Sequence, residues 1–244
     1  MTVEIKENER IDDLECNGYK IIQNKDGYCF TSDSVILSNL VNIHDNQMAV
    51  DLCTGSGVIA LLLSAKHKLK KVYGIELQDR LADMAKRSVL LNNEKVVEIV
   101  NDNLINISKK IGNELFDVVT CNPPYEDKYE EKSSYSEIDI CKNEISVNLE
   151  EIVKEGSHLL KFGGLFYMIH RARRLVDVVV LFRKYNLEPK NIYLIYPKKD
   201  KNCDTFIIAG KKGGKPSLVI PKPIIVNDEN GNLTEEVKAL YNKK

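Results

Sequence analysis

Short apolar runs alternate with helix-like stretches from about residue 48 onward, and this alternation constrains the fold more than any other feature. The runs expected to form successive strands are residues 48–53, 71–76, 96–100, 116–120 and 165–169. Between them, apolar side chains recur at helical spacing, as in residues 78–92 and in residues 144–160, which Gly163-Gly164 is expected to end. Such alternation is typical of a parallel sheet with helices on both faces.

Two later apolar runs extend this sheet. Residues 192–196 and 205–209 have no helical pattern between them, which predicts an antiparallel pair. An antiparallel edge on a parallel sheet is common. The expected fold class is therefore α/β, with a doubly wound, mostly parallel seven-stranded sheet and an antiparallel edge strand.

The N-terminal segment predicts a small extension ahead of the sheet. Asp26-Gly27 favours a hairpin between residues 19–23 and 28–30, and Thr31-Ser32-Asp33 is a suitable cap for a helix beginning near Ser34. The expected organisation is a hairpin-and-helix extension over residues 1–45 packed on a core domain over 46–212, then a tail with a short helix over 213–244.

Composition excludes several classes of protein. No apolar run approaches the length of a membrane span, and the first seven residues do not resemble a signal peptide. Six cysteines have irregular spacing and the four histidines are isolated, so we expect no metal site, reduced thiols and a cytoplasmic location.

Charge is distributed unevenly along the chain. Residues 1–160 carry 18 Lys and Arg against 28 Asp and Glu, whereas residues 161–244 carry 17 Lys and Arg against 8 Asp and Glu. This asymmetry predicts a polyanionic partner, unless the lysines only solvate loops.

The tetrapeptide Asn122-Pro123-Pro124-Tyr125 follows the apolar run that predicts the fourth strand. Proline cannot donate to a strand ladder, so the strand must end here, at the edge where open α/β sheets bind ligands. Asn122 offers a side-chain acceptor, the prolines leave carbonyls available, and Tyr125 offers a flat face. Asn-Pro also marks ordinary turns. At this position, however, the tetrapeptide predicts methylation of a planar exocyclic amine.

Polar residues also end the first three expected strands. The turn at residues 51–57 contains glycines that permit close backbone approach to a ligand, and Glu76 follows 19 residues after Gly57, where a carboxylate can hold ribose hydroxyls. Asp102-Asn103 could read an adenine amino group. Each of these strand-end features alone would be interpreted as a helix cap or a solvated strand end. Together they predict one pocket for S-adenosylmethionine. Its expected lining is Asp51, Cys53, Thr54, Gly55, Gly57, Glu76, Asp102, Asn103 and Asn122, with Thr31 and Asp33 closing over the methionine part or serving only as a helix cap.

These residues resemble a known family. Asp51-x-x-x-Gly55-x-Gly57, Glu76 and Asn122-Pro123-Pro124-Tyr125 look like the Rossmann-like S-adenosylmethionine-dependent methyltransferases that modify planar amino groups. Within that superfamily the chain is similar to bacterial methyltransferases that act on N6 of the adenine 3′ of the anticodon (position 37) in a valine tRNA. The similarity includes residues 30–37, 80–85, 170–175 and 210–216, although Ala172 stands where relatives are expected to carry proline.

The resemblance implies a mechanism and a substrate. The side-chain oxygen of Asn122 and the backbone carbonyl of Pro123 would grip the amine hydrogens, and Tyr125 would stack on the base, worth about 1–3 kcal/mol. No metal and no obligatory protein partner are implied. The expected tRNA contacts come from basic residues that could instead be solvated loop charges, namely Arg171, Arg173, Arg174, Lys198, Lys199, Lys211 and Lys212, with His170 beside the first of them.

Several alternatives stay open. Another RNA base amine, as in rRNA, or the side-chain amide of a protein glutamine would use the same chemistry. Glutamine methyltransferases usually carry a helical recognition domain in front of this core, and fewer than fifty residues precede the first expected strand. A non-catalytic RNA- or nucleotide-binding module is a third interpretation, because a fold does not fix a function. A nicotinamide oxidoreductase would leave the tetrapeptide unexplained, and methyl transfer to an amine needs no nucleophile from Cys53 or Cys121.

Overall fold

The computed structural model describes residues 3–25, 29–123 and 148–241. The strands, in chain order, are β1 (Glu9–Asp13), β2 (Lys20–Asn24), β3 (Met48–Leu52), β4 (Lys71–Glu76), β5 (Val97–Asn101), β6 (Phe116–Cys121), β7 (Leu160–Arg171), β8 (Leu187–Tyr196), β9 (Thr205–Lys212) and β10 (Ile224–Ile225). The α-helices are α1 (Ser32–Leu40), α2 (Val58–Lys66), α3 (Asp79–Leu91), α4 (Ile107–Ile111), α5 (Leu149–Leu159), α6 (Leu175–Lys184) and α7 (Glu235–Tyr241). A 3-10 turn at Ala172–Arg174 precedes α6.

Strands β3 to β10 form one sheet in the order β10-β8-β9-β7-β6-β3-β4-β5. Strands β7, β6, β3, β4 and β5 are parallel, β9 is antiparallel to both β7 and β8, and β10 is parallel to β8. The α/β fold class is confirmed, and the two-residue β10 is an eighth strand beyond the seven expected. The antiparallel strand β9 lies two positions inside the edge, between β8 and β7.

Two apolar cores cover the two faces of this sheet. Helices α1, α2, α3 and α7 pack on one face, and α4, α5 and α6 pack on the other. Neighbouring residues of one strand serve opposite cores, as Ala49 and Val50 do in β3 and Val118 and Val119 do in β6. All four are at most 1% exposed, which is why these strands appear in the sequence as continuous apolar runs.

The strand order reverses between β3 and β6. From β3 the chain proceeds outward to β4 and β5, whereas from β6 it proceeds to β7 on the other side. Leu52 and Cys121, the last residues of these two strands, are paired in register. Ligands of doubly wound sheets bind at the carboxyl ends of the strands where the order reverses, so the fold directs attention to the residues that follow Leu52 and Cys121.

The N-terminal hairpin uses strands other than those expected. Strand β2 pairs with β1, from Glu9 opposite Asn24 to Asp13 opposite Lys20. Cys29 and Phe30 are outside any strand, and residues 26–28 lie outside the described part of the chain. The prediction of a hairpin across Asp26-Gly27 is therefore wrong. Strand β1 has the sequence Glu-Arg-Ile-Asp-Asp and is largely exposed, so it lacks the apolar alternation that marks a strand.

Helix α5 ends at Leu159, earlier than Gly163-Gly164 suggested. Strand β7 begins at Leu160 and continues through both glycines. The pairing register of β7 with β6 shifts between Phe116 and Val118, and Gly163 has a φ of +82°. The two glycines therefore lie at a register shift inside a strand, a position where glycine is common. Residues 144–147, the expected start of this helix, are not among those described.

The C-terminal tail returns to the main sheet. Strand β10 pairs with the end of β8, and Val237 and Leu240 of α7 join the core that contains α1. The division into residues 1–45, 46–212 and 213–244 stays a prediction. Within the described residues, no helix has both the length and the apolar character needed to cross a membrane.

Candidate active site

The turn between β3 and α2 alternates left-handed residues with others. Cys53, Gly55 and Gly57 have φ values of +56°, +59° and +89°. A Cβ on Gly57 would lie 3.3 Å from the Cβ of Ala85, so glycine here lets α2 begin close to α3. A Cβ on Gly55 would have no described atom within 4 Å. Gly55 therefore presents bare backbone to open space at the carboxyl edge of the sheet.

The Asp51 side chain stabilises this turn. Its carboxylate is completely buried and accepts hydrogen bonds from the hydroxyls of Thr54, at 2.6 Å, and Thr120, at 2.7 Å. Burial raises the pKa of Asp51 to about 7, the two threonine bonds oppose the rise, and the charge of Glu76 adds to it. The aspartate thus joins β3, its own turn and β6. Of its two partners, Thr120 carried no functional prediction, although a lone threonine in an apolar strand is a recognisable signal.

Glu76 ends β4 beside the same turn. It is 6% exposed, and its Oε2 accepts a hydrogen bond from the backbone nitrogen of Gly55 at 2.8 Å. Its Oε1 accepts another from the backbone nitrogen of Gln78 at 2.9 Å. A carboxylate is therefore fixed at the mouth of the glycine turn, and its role in holding the cofactor stays a prediction.

Asp102 and Asn103 follow β5 on the outer side of Glu76. The backbone nitrogen of Asp102 donates to the carbonyl of Glu76 at 3.0 Å, so the two strand ends are adjacent. An ion pair with Lys110 lowers the pKa of Asp102, and the Asn103 side chain accepts from the backbone of Ile105 at 2.8 Å. Both side chains thus also perform the local capping that was the alternative interpretation.

Asn122 follows β6 on the other side of the glycine turn. Its Nδ2 donates to the hydroxyl of Ser34 at 3.0 Å, and Pro123 after it is buried. Because the oxygen and nitrogen of an amide project from opposite sides of one carbon, this bond turns the Asn122 side-chain oxygen away from Ser34. Pro124 and Tyr125 lie outside the described residues. The sequence predicted Ser34 only as the start of a helix and as part of the similar stretch at residues 30–37, without a role at this site.

Thr31 and Asp33 lie at the start of α1, close to this asparagine. Thr31 is the exposed N-cap position, and its side chain makes no capping bond within the described part of the chain. Asp33 instead lines a small cavity with Arg171 and Asp204 at the carboxyl edge of the sheet. The first turn of α1 is therefore brought to the same edge as the glycine turn and Asn122.

The expected basic residues divide between the two edges of the sheet. Arg171 is the last residue of β7, and Arg173 and Arg174 follow in the 3-10 turn. Lys198 and Lys199 follow β8, whose end is at the same edge because Ile195 and Arg171 both pair with Thr205. Arg171 is paired with Asp204, and Arg174 is paired with Asp177 at 2.8 Å. These five side chains share an edge with Asn122.

Lys211 and Lys212 do not belong to this group, and their role in tRNA binding stays a prediction. They end the antiparallel strand β9, where Lys211 pairs with Leu165 near the start of β7, so they lie at the opposite edge of the sheet. The ammonium of Lys212 also contacts Glu114 and the carbonyls of Ser157 and Leu160, at 2.8–3.0 Å.

His170 is completely buried within β7, and its Nδ1 accepts a hydrogen bond from the backbone nitrogen of Arg171. Because it is buried, His170 does not present its ring to a phosphate, and the prediction of a phosphate contact there is wrong.

The thiol of Cys121 is not activated for nucleophilic attack. Cys121 is completely buried, and burial raises the pKa of its thiol, which keeps it protonated beside Cys53. A protonated thiol is a poor nucleophile. Within the described residues, no group of three or more His, Cys, Asp or Glu side chains is arranged to hold a metal ion.

Comparisons with known proteins agree with this architecture. The chain is 31% identical over 185 residues to the release factor glutamine methyltransferase of Buchnera aphidicola subsp. Acyrthosiphon pisum, a match that covers 72% of this chain and 63% of the relative. It is 29% identical over 148 residues to the tRNA1(Val) (adenine(37)-N6)-methyltransferase of Porphyromonas gingivalis, covering 58% and 56%. The chain thus spans less than two thirds of the length of either curated relative.

Solved structures share the fold at low sequence identity. A predicted O-methyltransferase from Agrobacterium tumefaciens superposes with a TM-score of 0.70 at 21% identity, covering 86% of this chain and 95% of that one. The geranyl diphosphate C-methyltransferase of Streptomyces coelicolor A3(2), solved with S-adenosyl-L-homocysteine, superposes with a TM-score of 0.55 at 14% identity, covering 74% of this chain and 75% of that one.

The family model described as "Methyltransferase small domain" matches residues 31–185. This match includes the glycine turn, Glu76 and Asn122, and the chain belongs to the methyltransferase small domain family.

Proposed function

We propose that this protein transfers a methyl group from S-adenosylmethionine to the N6 amine of an adenine in tRNA, the adenine 3′ of the anticodon in a valine tRNA. The observation that carries the proposal is the position of Asn122-Pro123 beside the glycine turn, where the strand order reverses. A polar acceptor and a cofactor-type turn are then on neighbouring strand ends, as direct transfer between two bound molecules requires.

The residues of the pocket fit the cofactor. Gly55 offers backbone with open space above it, and Glu76 beside it offers a fixed carboxylate for ribose hydroxyls. Asp102 and Asn103 would contact the adenine, and the first turn of α1, with Thr31 and Asp33, would cover the methionine part. When bound, S-adenosylmethionine supplies a methyl group activated by a sulfonium cation.

Asn122 and Pro123 would prepare the amine. The lone pair of an adenine amino group is delocalised into the ring, which makes the nitrogen a poor nucleophile. The side-chain oxygen of Asn122 and the carbonyl of Pro123 would accept its two hydrogens, draw the nitrogen toward a tetrahedral shape and free the lone pair. Tyr125 would stack on the base. No strong base is required for this step, because the proton can leave after the nitrogen has become cationic.

Two observations favour tRNA as the substrate. The Porphyromonas gingivalis relative is named for adenine 37 of a valine tRNA. In addition, Arg171, Arg173 and Arg174 lie at the carboxyl end of β7, and β7 is the neighbour of β6, which Asn122 follows. Phosphates flanking an extruded base could reach them, and single-stranded loops are the usual sequence-specific targets in RNA. A base amine of rRNA would use the same groups.

A glutamine amide of a protein is the second candidate. The Buchnera relative is named as a release factor glutamine methyltransferase, and its match covers more of this chain than the tRNA methyltransferase match does. A primary amide also presents two N–H donors on a planar nitrogen with a delocalised lone pair. The chemistry at Asn122 would be identical, and only the surrounding recognition surface would differ.

The two substrates can be separated by labelling. Purified protein is incubated with methyl-tritiated S-adenosylmethionine and either total tRNA or a ribonuclease-treated protein extract. Label that enters tRNA and elutes as N6-methyladenosine after digestion supports the proposal. Label that enters only protein and elutes as N5-methylglutamine after complete proteolysis would replace it with the second candidate.

A further inference from the structure

A large cavity lies at the carboxyl edge of the sheet, between the end of β8 and the tail that follows β10. Its volume is about 960 Å³, within the range of sites that hold small molecules and cofactors. The side chains that give this tail cavity its chemistry are lysines, carboxylates and amides, namely Lys198, Lys199, Asp200, Asn227, Glu229 and Asn230. These side chains are distinct from those proposed to hold S-adenosylmethionine.

Backbone hydrogen bonds hold the tail side of the cavity in place. The backbone nitrogen of Asn227 donates to the carbonyl of Pro197 at 3.0 Å, so the tail continues beside the end of β8. The backbone nitrogen of Asp228 donates to the carbonyl of Asn232 at 2.8 Å, and the Asp228 carboxylate accepts from the backbone nitrogen of Asn232 at 2.9 Å. These bonds close a tight loop whose tip, residues 229–231, is exposed. The backbone that carries the polar lining is therefore held in a defined position.

A smaller cavity lies beside the tail cavity on the side of α1. Asn227 lines both cavities, and Ser32 in the first turn of α1 lines the smaller one. Ser34, two residues further along α1, accepts a hydrogen bond from Asn122 Nδ2 at 3.0 Å. The surface from Asn122 to the tail is thus one continuous part of the carboxyl edge, with the start of α1 in its middle.

We infer that the tail cavity binds a nucleotide of the tRNA that flanks the methylated adenine, an inference that rests on the proposed function. Lys199 and Lys198, whose ammonium also donates to the carbonyl of Glu229 at 3.3 Å, supply cations for a phosphate. The side-chain oxygens of Glu229 and Asn230 accept N–H groups from a base edge. A base with an exocyclic amine suits these acceptors, whereas uracil presents a carbonyl on each side of its ring N–H.

The mixed charge of the lining favours a nucleotide over a small anion or a metal ion. Beside its two lysines the cavity has three carboxylates, Asp200, Asp228 and Glu229, which would repel a small anion. In the described ranges, no three or more His, Cys, Asp or Glu side chains are grouped to hold a metal ion. A nucleotide carries an anionic phosphate at one end and N–H donors on its base, which matches a lining of both signs. Unstacked bases of single-stranded RNA are commonly recognised by such hydrogen bonds.

The first test compares two lysines that are two positions apart. Lys199→Ala removes an ammonium that lines the tail cavity, and Lys201→Ala removes an exposed one outside it. With saturating labelled S-adenosylmethionine and limiting tRNA, we expect kcat/KM to fall about fivefold or more for Lys199→Ala and less than about twofold for Lys201→Ala. Cofactor affinity and the midpoint of urea denaturation should be unchanged in both variants.

The second test measures base recognition. The substrates are tRNA transcripts that differ only in the nucleotides on either side of the target adenine. At one of these positions, wild type should favour a base with an exocyclic amine over uracil by about tenfold in kcat/KM. The double variant Glu229→Ala with Asn230→Ala should reduce this preference to less than about twofold. Glu236→Ala, an exposed position on α7, is the control and should keep the preference.

The outcomes separate this inference from the proposed function. Equal kcat/KM for Lys199→Ala and Lys201→Ala, or no base preference that depends on Glu229 and Asn230, would overturn the inference and leave the proposed function intact. Label that enters only protein, more slowly with Lys199→Ala than with Lys201→Ala, would assign the tail cavity to a polypeptide and overturn the inference. A folded wild-type protein that labels neither tRNA nor protein would remove the proposed function, and this inference with it.

Discussion

The carboxylate of Glu76 accepts a hydrogen bond from the backbone nitrogen of Gly55 at 2.8 Å, which ties the end of β4 to the turn after β3. Its other oxygen accepts from the nitrogen of Gln78 at 2.9 Å. One side chain thus stabilises the turn and places a negative charge at its mouth. Glu76 is therefore the residue at which the proposed cofactor pocket is tested first.

Glu76→Gln should weaken S-adenosylmethionine binding by about tenfold or more. The glutamine amide would place N–H groups opposite one of the two backbone donors and would remove the charged acceptor for the ribose hydroxyls. Isothermal titration calorimetry measures the effect. Glu98→Gln on β5 is the matched control, because that carboxylate is half exposed and paired with Lys71. Equal affinities for wild type and both variants would remove Glu76 from the pocket.

Charge reversal at Arg173 and Arg174 should weaken tRNA binding about tenfold and reduce its salt dependence. Each phosphate contact that is lost lowers the slope of log affinity against log salt by about one. Filter binding at several salt concentrations measures both quantities, and S-adenosylmethionine affinity should not change. The control reverses two charges at the other edge of the sheet, with Lys211→Glu and Lys215→Glu. If both double variants bind tRNA equally, the surface around Arg173 is not the tRNA site.

Asp51 should make stability depend on pH. Burial raises the pKa of its carboxyl to about 7 in the folded protein, against an ordinary value of 3.8. Between these values the folded state holds a proton that the unfolded state has released, so this group adds stability as the pH falls from 8 to 5. Asp51→Asn removes the titration. In urea denaturation at several pH values, the stability of wild type relative to Asp51→Asn should rise toward pH 5, and a constant difference would contradict the assignment.

Arg87→Ala should destabilise the protein by about 3 kcal/mol or more, because it leaves the carboxylate of Glu9 buried without its partner. Arg87 donates two hydrogen bonds of 2.6 Å to Glu9, which is 4% exposed, and one of 2.8 Å to the carbonyl of Glu4. These hydrogen bonds connect the hairpin of β1 and β2 to α3. The midpoint of urea denaturation measures the loss. Lys86→Ala, at the exposed neighbouring position, should change stability little, and a similar small change for Arg87→Ala would refute this role.

The alternating apolar runs were sufficient to predict seven of the eight strands of the main sheet, because strands buried on both faces are apolar at most positions. The same logic failed where burial is one-sided or absent. Strand β1 is charged and largely exposed, so its sequence has no apolar alternation to indicate that it pairs with β2. Asp26-Gly27, a common turn sequence, therefore led to the wrong prediction of the hairpin's position. Gly163-Gly164 was interpreted as a helix end because glycines at a strand irregularity and after a helix look alike in one sequence.

The candidate site was predictable where it depends on strand ends and unpredictable where it depends on tertiary contacts. Glu76 and Asn122 follow apolar runs, so their shared edge follows from parallel strands. The bond from Asn122 to Ser34 joins distant segments, and no local pattern indicates it. The edge occupied by Lys211 depends on the antiparallel direction of β9 beside β7, which the residues around Lys211 do not indicate by themselves.

Methyl transfer by wild type and Asn122→Ala, measured on the same tRNA preparation, tests the central claim most directly. Labelled S-adenosylmethionine is supplied, the tRNA is digested, and N6-methyladenosine is quantified by chromatography, with cofactor binding checked by calorimetry. We expect wild type to form labelled N6-methyladenosine and Asn122→Ala to lose about a hundredfold in rate while binding the cofactor normally. N6-methyladenosine formed at the same rate by both proteins would contradict the role of Asn122 in activating the amine.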